Sequence, residues 1–177
     1  MMDLCGKPVI TRTYDAVLSS NLFSSVIVVT QDNEIYEEIT SNNGNSILIE
    51  KDYNSGTDRI ADACAKLETD IIVNIQGDEP FIDQSSLEKL VNIFKNDSRN
   101  EINYASLMKL MNNEKDINNP NNVKVAVDNN NFAINFSRKP ISSITTLSQE
   151  VFYKHIGVYG YRKDSLMSFT KLSPTKL

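Results

Sequence analysis

The chain alternates short β-branched runs with stretches whose apolar positions recur at helical spacing, the pattern of βα units feeding a parallel sheet. Val9, Tyr14, Val17 and Leu18 form one apolar stripe, and Pro8 stands where a helix start tolerates a missing N–H. Val26 to Thr30 predicts a strand, Asp32 to Ser41 a helix closed by a left-handed cap at Asn43-Gly44, and Ile47 to Ile49 another strand. Thr57 is the expected N-cap of a helix carrying Ile60, Ala61, Cys64 and Leu67. Asp70 to Ile75 is nearly continuous apolar chain, as a central strand covered on both faces would be. A helix from about Ser85 to Phe94 and a strand around Tyr104 to Leu107 follow.

Beyond Pro120 the pattern changes. Val123 to Val127, a turn at Asp128 to Asn131 and Phe132 to Phe136 read as a hairpin with alternating apolar and polar positions. Val151 to Tyr161 predicts a further strand, and Asp164 to Phe169 the start of a helix. The expected fold is therefore α/β and Rossmann-like, a mixed, mostly parallel sheet flanked by helices. A single domain is expected, with residues 121–177 a mixed extension of the sheet, a common place for an acceptor pocket and a dimer contact. A doubly wound sheet ordinarily begins with a central strand whose exit loop holds phosphates. This sequence opens almost directly into a helix, so the leading strand and its loop are expected to be absent from it.

Composition narrows the class. A chain of 177 residues, 40% hydrophobic and 23% charged, is a soluble globular type with one core. No apolar run approaches the roughly 18 residues of a membrane span, and the opening residues lack the pattern of a secretory signal, so the expected compartment is the cytoplasm. Cys5 and Cys64 lie far apart in no metal spacing and read as reduced thiols, Cys64 as a small buried hydrophobe. A formal charge of −5 offers nucleic acid or anionic lipid no general attraction. Phosphate binding would have to rest on a few placed cations and backbone amides.

Four clusters carry candidate chemistry. Asn74-Ile75-Gln76-Gly77-Asp78-Glu79-Pro80 ends the apolar strand, at the carboxyl edge where open α/β sheets bind ligands. Gln76 both donates and accepts, Asp78 offers hard oxygens suited to Mg²⁺ on a triphosphate, and Gly77 permits close backbone approach. By residue type alone the same run fits an acidic capping loop. Asn54-Ser55-Gly56-Thr57-Asp58-Arg59 sits at a helix N-terminus, whose amides and dipole suit an anion or a base edge, or simply a capped helix with a surface Arg. In Asn135 to Pro140, Arg138 is able to clamp a carboxylate in bidentate fashion or to be a solvated strand end. Along Lys154 to Tyr161, His155, Gly157, Tyr159 and Tyr161 share one strand face, a wall able to bind sugar hydroxyls, although a lone His is more often structural.

In this order the clusters resemble the 3-deoxy-manno-octulosonate (Kdo) cytidylyltransferases, also called CMP-Kdo synthetases. The matching segments are Gly6 to Ile10, Ser55 to Arg59, Val73 to Pro80, Asn122 to Val125, Phe136 to Arg138 and His155 to Tyr161, from about residue 5 to the end of the chain. The resemblance implies a nucleotide-diphospho-sugar transferase fold, with a nucleotide-binding part over residues 1–120 and a sugar-binding and dimer-forming part over residues 121–177, a homodimer and a need for Mg²⁺. It also implies that CTP and Kdo give CMP-Kdo and pyrophosphate for lipopolysaccharide. Carried onto this sequence, Asp78 and Gln76 would be catalytic, with Asp78 the Mg²⁺ ligand and Gln76 against nucleotide and sugar. Ser55, Gly56, Thr57 and Arg59 would shape the cytidine pocket, and Arg138, His155 and Tyr159 would hold the acidic sugar. The family's leading strand, its basic phosphate loop, and the helix and late aspartate past Ser173-Pro174 find no counterpart, so the sequence is expected to be an incomplete domain with little catalysis of its own. The competing expectations are a synthetase for another acidic sugar such as sialic acid, and a non-catalytic remnant that keeps a dimer surface.

Overall fold

The computed structural model describes residues 1–53, 55–144 and 150–173, so Asn54 and Pro174 lie outside the described residues. The chain forms two compact units, Met1–Ala105 with Tyr159–Leu177, and Ser106–Val158. In the first unit α1 (Val9–Ser19), β1 (Val28–Thr30), α2 (Asn33–Ser41) and β2 (Ser46–Leu48) come in order. They are followed by α3 (Gly56–Cys64), β3 (Ile71–Ile75) and α4 (Gln84–Asn96). β4 (Tyr104–Met111) begins in this unit and runs into the second, which holds α5 (Glu114–Asn118), β5 (Lys124–Val127), β6 (Ala133–Ser137) and β7 (Ser143–Ile144). β8 (Glu150–Arg162) starts in the second unit and returns the chain to the first, where α6 (Lys163–Phe169) follows.

Local chemistry sets the helix ends. Asp32 caps α2 by accepting from the amides of Glu34 and Ile35, and Asp83 caps α4 by accepting from Ser86 N–H. Asn43 adopts φ 60° and Gly44 N–H donates to Ile39 O at 2.8 Å, the left-handed closure expected from the sequence. The cap of α3 differs from expectation. Ser55, two residues before Thr57, is the N-cap and accepts from Asp58 N–H, which releases the Thr57 side chain for another contact. α1 also turns a different face inward: Leu18 is exposed, while Thr11 and Thr13 are buried with Tyr14 and Val17. The two hydroxyls are satisfied there, Thr11 donating to a Glu38 carboxylate oxygen at 2.7 Å and Thr13 to Gly77 O at 2.9 Å.

β1 and β2 pair in parallel, Val28 opposite Ser46 through Thr30 opposite Leu48. The larger sheet runs β3-β8-β5-β6, with β4 and β7 also paired to β8. β5 pairs antiparallel with both β6 and β8, and β7 antiparallel with β8. The α/β class stands, but the sheet is mixed rather than mostly parallel, because a hairpin such as β5–β6 joins its strands antiparallel. β3 closes one end of the strand order instead of standing in its centre: among the described residues it pairs only with β8. Its other side and β1 face a common trough of about 510 Å³, lined by apolar residues of α1, α3 and both strands.

The first unit's core joins Ala61 of α3, Ile72 of β3, Tyr161 of β8 and Leu166 of α6, with Leu87, Leu90, Val91 and Phe94 of α4 also buried. Burial of Leu87 and Leu90 contributes on the order of 2 kcal/mol each. A Cβ on Gly160 would collide with the Phe94 ring, so β8 lies on α4 only because that position is glycine. Arg162 anchors the strand end by donating to an Asp97 carboxylate oxygen at 2.9 Å and to Ile102 O at 3.1 Å. In the second unit every residue of β5 is buried, whereas β6 is exposed except for half-buried Ser137. The register slips between Ala126 and Val127, where the Val127 amide donates to Ser143 Oγ at 2.8 Å.

Candidate active site

The carboxyl end of β3 delivers Asn74 and Gln76, two residues apart and hence on one face. The N-terminus of α3 brings Gly56 and Thr57 to them, and β8 brings Tyr159 and Tyr161, completing a cleft of about 470 Å³ with Tyr104 and Phe169. Its aromatic wall is built ring on ring. Tyr159 and Tyr161 stack with centroids 6.2 Å apart, and Tyr104 meets Tyr161 edge-on at 5.7 Å and Phe169 at 5.9 Å. The Tyr104 hydroxyl donates to Ser165 O at 2.7 Å, which ties α6 to the wall. Thr57, freed from capping, shares a side-chain hydrogen bond with Tyr161. Burial pushes the Tyr161 phenol above its ordinary pKa, the Thr57 bond opposing the shift, and burial also raises that of Tyr104. Both phenols therefore stay protonated at neutral pH and remain hydrogen-bond donors.

Gln76, Gly77 and Asp78 form an exposed turn in which Glu79 N–H donates to Gln76 O at 3.1 Å. The turn is tied down by its main chain, through the Thr13 hydroxyl on Gly77 O. The close approach that Gly77 allows is to α1, since a Cβ there would stand 2.9 Å from Ile10 Cδ1. Asp78 keeps its carboxylate exposed beside the half-buried Glu79. No cluster of three or more metal-ligating side chains forms among the described residues. A Mg²⁺ ion that takes most of its ligands from water and a triphosphate needs only one or two protein carboxylates, and the Asp78 turn fits that donor set.

The residues read as a cytidine pocket divide their tasks. Ser55 caps α3, its hydroxyl also donating to an Asp58 carboxylate oxygen at 2.7 Å, and Thr57 faces the aromatic cleft. Arg59 lines the 510 Å³ trough, which meets the cleft at Gly56, Asn74 and Gln76. Gln76 thus stands at the junction of two spaces. Of the residues read as a sugar site, Tyr159 lies in this cleft, while Arg138 and His155 belong to the second unit. Tyr104 and Phe169 were missed as site residues, and their only sequence signal is an aromatic at the first position of a strand and at the last of a helix.

In the second unit, Arg138 follows β6 and donates from Nη1 to Pro120 O at 3.1 Å. His155 is half-buried in β8, where its amide donates to Val123 O at 2.8 Å. The imidazole meets the Phe136 ring edge-on at 5.0 Å, and its Nδ1 lies 3.5 Å from Ser106 Oγ. Burial lowers the imidazole's pKa, so the ring is neutral at physiological pH.

A helix N-terminus, a polar strand end and an aromatic wall meet at one mouth, at the carboxyl edge where α/β enzymes bind their ligands. The cytidylyltransferase family model matches residues 1–177. The chain belongs to this family, among the 3-deoxy-manno-octulosonate cytidylyltransferases. It is 49% identical to the 3-deoxy-manno-octulosonate cytidylyltransferase of Flavobacterium johnsoniae, over 97% of this chain and 71% of that protein. Its identity to the enzyme of the same name from Christiangramia forsetii is 47%, over 97% of this chain and 70% of the relative. A solved CMP:2-keto-3-deoxy-manno-octonic acid synthetase complexed with CTP superposes with a TM-score of 0.88 at 32% identity, covering 98% of this chain and 71% of that one.

Proposed function

We propose that the reaction this chain takes part in is transfer of CMP from CTP to 3-deoxy-D-manno-octulosonate, releasing pyrophosphate and supplying CMP-Kdo for lipopolysaccharide synthesis. The observation that carries this reading is the cleft where Gln76 and Thr57 face Tyr159 and Tyr161 at the end of β3. Polar groups on one side suit the nucleotide, and phenols on the other suit a polyhydroxylated sugar.

The anomeric hydroxyl of the sugar attacks the α-phosphorus in line and gives its proton to solvent, a new phosphorus–oxygen bond forms, and the bond to the β-phosphate oxygen breaks as pyrophosphate leaves. The protein's task is to position the partners and offset charge. Asp78 would hold Mg²⁺, whose contribution when bound is charge neutralisation on the triphosphate. Gln76 orients the nucleotide against the acceptor, and Ser55, Gly56 and Thr57 present the α3 N-terminus, with Arg59 adding a fixed cation. Arg138 and neutral His155 take the sugar acid, the Arg138 guanidinium donating to the sugar's carboxylate.

The same reading includes a homodimer. β6 and the residue before it expose Phe132 (62%), Ile134 (70%) and Phe136 (49%) at alternating positions, an apolar face suited to a second copy. Free Cys5 and Cys64 fit a reducing cytoplasm, and no helix among the described residues is long and apolar enough to cross a membrane.

The deciding experiment follows pyrophosphate release from CTP and Mg²⁺ with Kdo or sialic acid as acceptor, on a version completed with the family's flanking segments, beside calorimetric titration of CTP on this chain. Release with Kdo alone supports the proposal. Release with sialic acid and not Kdo overturns the substrate, and a chain that binds no CTP overturns the activity. Sedimentation of Ile134→Asp beside the parent chain tests the dimer face.

A further inference from the structure

Lys124 is the largest fully buried side chain of the described residues, with none of its surface exposed. Lysine is almost never buried to this degree, because an ammonium taken out of water costs several kcal/mol unless its donors are met. Here all three are met. Nζ donates to Asn119 O at 3.0 Å, to Asn122 O at 2.9 Å and to Arg138 O at 2.6 Å. The acceptors are main-chain carbonyls, so the ammonium holds backbone in place. What it joins is the loop before β5 and the residue just after β6.

Arg138 closes the same circuit from the other side. Its Nη1 donates to Pro120 O, between the two loop carbonyls that Lys124 grips. The circuit reaches His155 as well: its amide bonds Val123 O, and Lys124 pairs in register with Lys154 on β8 and with Ser137 on β6. The neighbouring β5 positions are the ordinary apolar Val125, Ala126 and Val127. Strand burial alone would be served by another such residue; fixing a loop by three carbonyls requires the ammonium.

We infer that Lys124 is a positioning residue for the acidic substrate: it locks the Asn119–Asn122 loop and the Arg138 main chain so that the guanidinium is presented in one geometry. This rests on the reading of Arg138 as a ligand of the sugar carboxylate. It goes beyond that reading by assigning the site's rigidity to a residue that touches no substrate.

The test uses Lys124→Met, which keeps the length and removes the donors, and Lys124→Gln, which keeps two donors on a shorter stem and is the milder change for folding. Dissociation constants for Kdo and for CTP are measured separately by titration on the full chain, with thermal melts as the folding control. Lys124→Gln should weaken Kdo binding several-fold and Lys124→Met at least tenfold, with CTP affinity within twofold of the parent. Adding Arg138→Ala to either should cost less than it does alone, since the lysine acts through the arginine. If Arg138→Ala weakens Kdo and Lys124→Gln, folded, does not, the inference fails while the sugar site stands. If Arg138→Ala leaves Kdo affinity unchanged, the assignment of the sugar site is overturned and the inference with it.

Discussion

The two units hold their candidate residues in opposite ways. In the first, Gln76 and Asp78 project from an exposed turn whose main chain is fixed by Thr13 and whose side chains meet solvent. In the second, Arg138 follows β6 and His155 sits in β8, the two strands that flank β5, whose residues are all buried and which begins with a lysine ammonium. A triphosphate with its metal brings its own charge and ordered waters, so a carboxylate needs reach more than rigidity. A sugar carboxylate must be recognised by direction, and a guanidinium does that only when its backbone does not move. Substitutions should therefore separate cleanly: on the exposed turn they change chemistry with little loss of stability, and in the strand-built parts they change both.

The largest separation is expected at Asp78. In a version completed with the family's flanking segments, Asp78→Ala should lower turnover about 10²- to 10³-fold, on the order of 3 to 4 kcal/mol of transition-state stabilisation. The unfolding free energy should move by no more than about 0.5 kcal/mol, because the side chain is exposed. Single-turnover pyrophosphate release beside a urea melt reads both quantities. Turnover near the parent value would remove the turn from the mechanism, and a large loss of stability would remove the contrast between the units.

Gly160→Ala probes the strand-built wall of the first unit. The new methyl would meet the Phe94 ring inside packed core, and overpacking of this kind costs about 1 to 3 kcal/mol. Gly56→Ala is the paired control, because a Cβ at the start of α3 meets nothing within 4 Å. The urea midpoint should drop for the first and stay for the second, and tyrosine fluorescence should change only in the first, where Tyr159 and Tyr161 flank the altered residue. A smaller effect is expected from Tyr104→Phe, which keeps both edge-on ring contacts and loses only the bond to Ser165 O, at about 1 kcal/mol. Equal losses from Tyr104→Phe and Gly160→Ala would mean that α6, rather than ring packing, holds the wall.

What the sequence made legible was local. The Asn43 closure, the Asp32 side of α2 and the apolar run of β3 depend on neighbours a few residues away, and each is where the pattern puts it. Ser55 and Thr57 are both competent caps, and the choice between them turns on Tyr161, about a hundred residues further along. Leu18 loses its place in the buried stripe of α1 because Thr11 and Thr13 find acceptors at Glu38 and Gly77. The short helix α5 escaped the apolar pattern because it buries no residue and is defined by its Asn113 cap. Lys124 reads in sequence as the polar position of an alternating strand, since the Arg138 carbonyl that helps make its burial tolerable lies fourteen positions away. The order of the site segments and the Tyr159 and Tyr161 part of the wall were visible; Tyr104, Phe169 and the buried ammonium required tertiary contacts.

The finest distinction between the units lies in their response to acid. Burial holds the His155 imidazole below its ordinary value of 6.5, so the folded chain disfavours the charged ring that the unfolded chain accepts. The unfolded state then binds more protons, and stability, complete above about 6.5, is lost as pH falls from the unfolded value toward the folded one. In the first unit Asp97 is also shifted down, but here the charged form is the one the fold favours. The Ile102 amide, then the Arg162 guanidinium, hold its carboxyl below the ordinary 3.8, so its contribution is complete above that value and is lost only as pH falls below it. Two acid windows should follow, a milder one tied to the second unit and a stronger-acid one tied to the first. Melting temperature recorded against pH for His155→Gln should lose its slope just below 6.5 and keep the loss below 4, and Arg162→Met should start from a lower plateau and show a weakened low-pH limb. A parent chain whose stability is flat between 6.5 and 5 would place the imidazole in solvent and undo the contrast, because a solvated ring carries no such linkage.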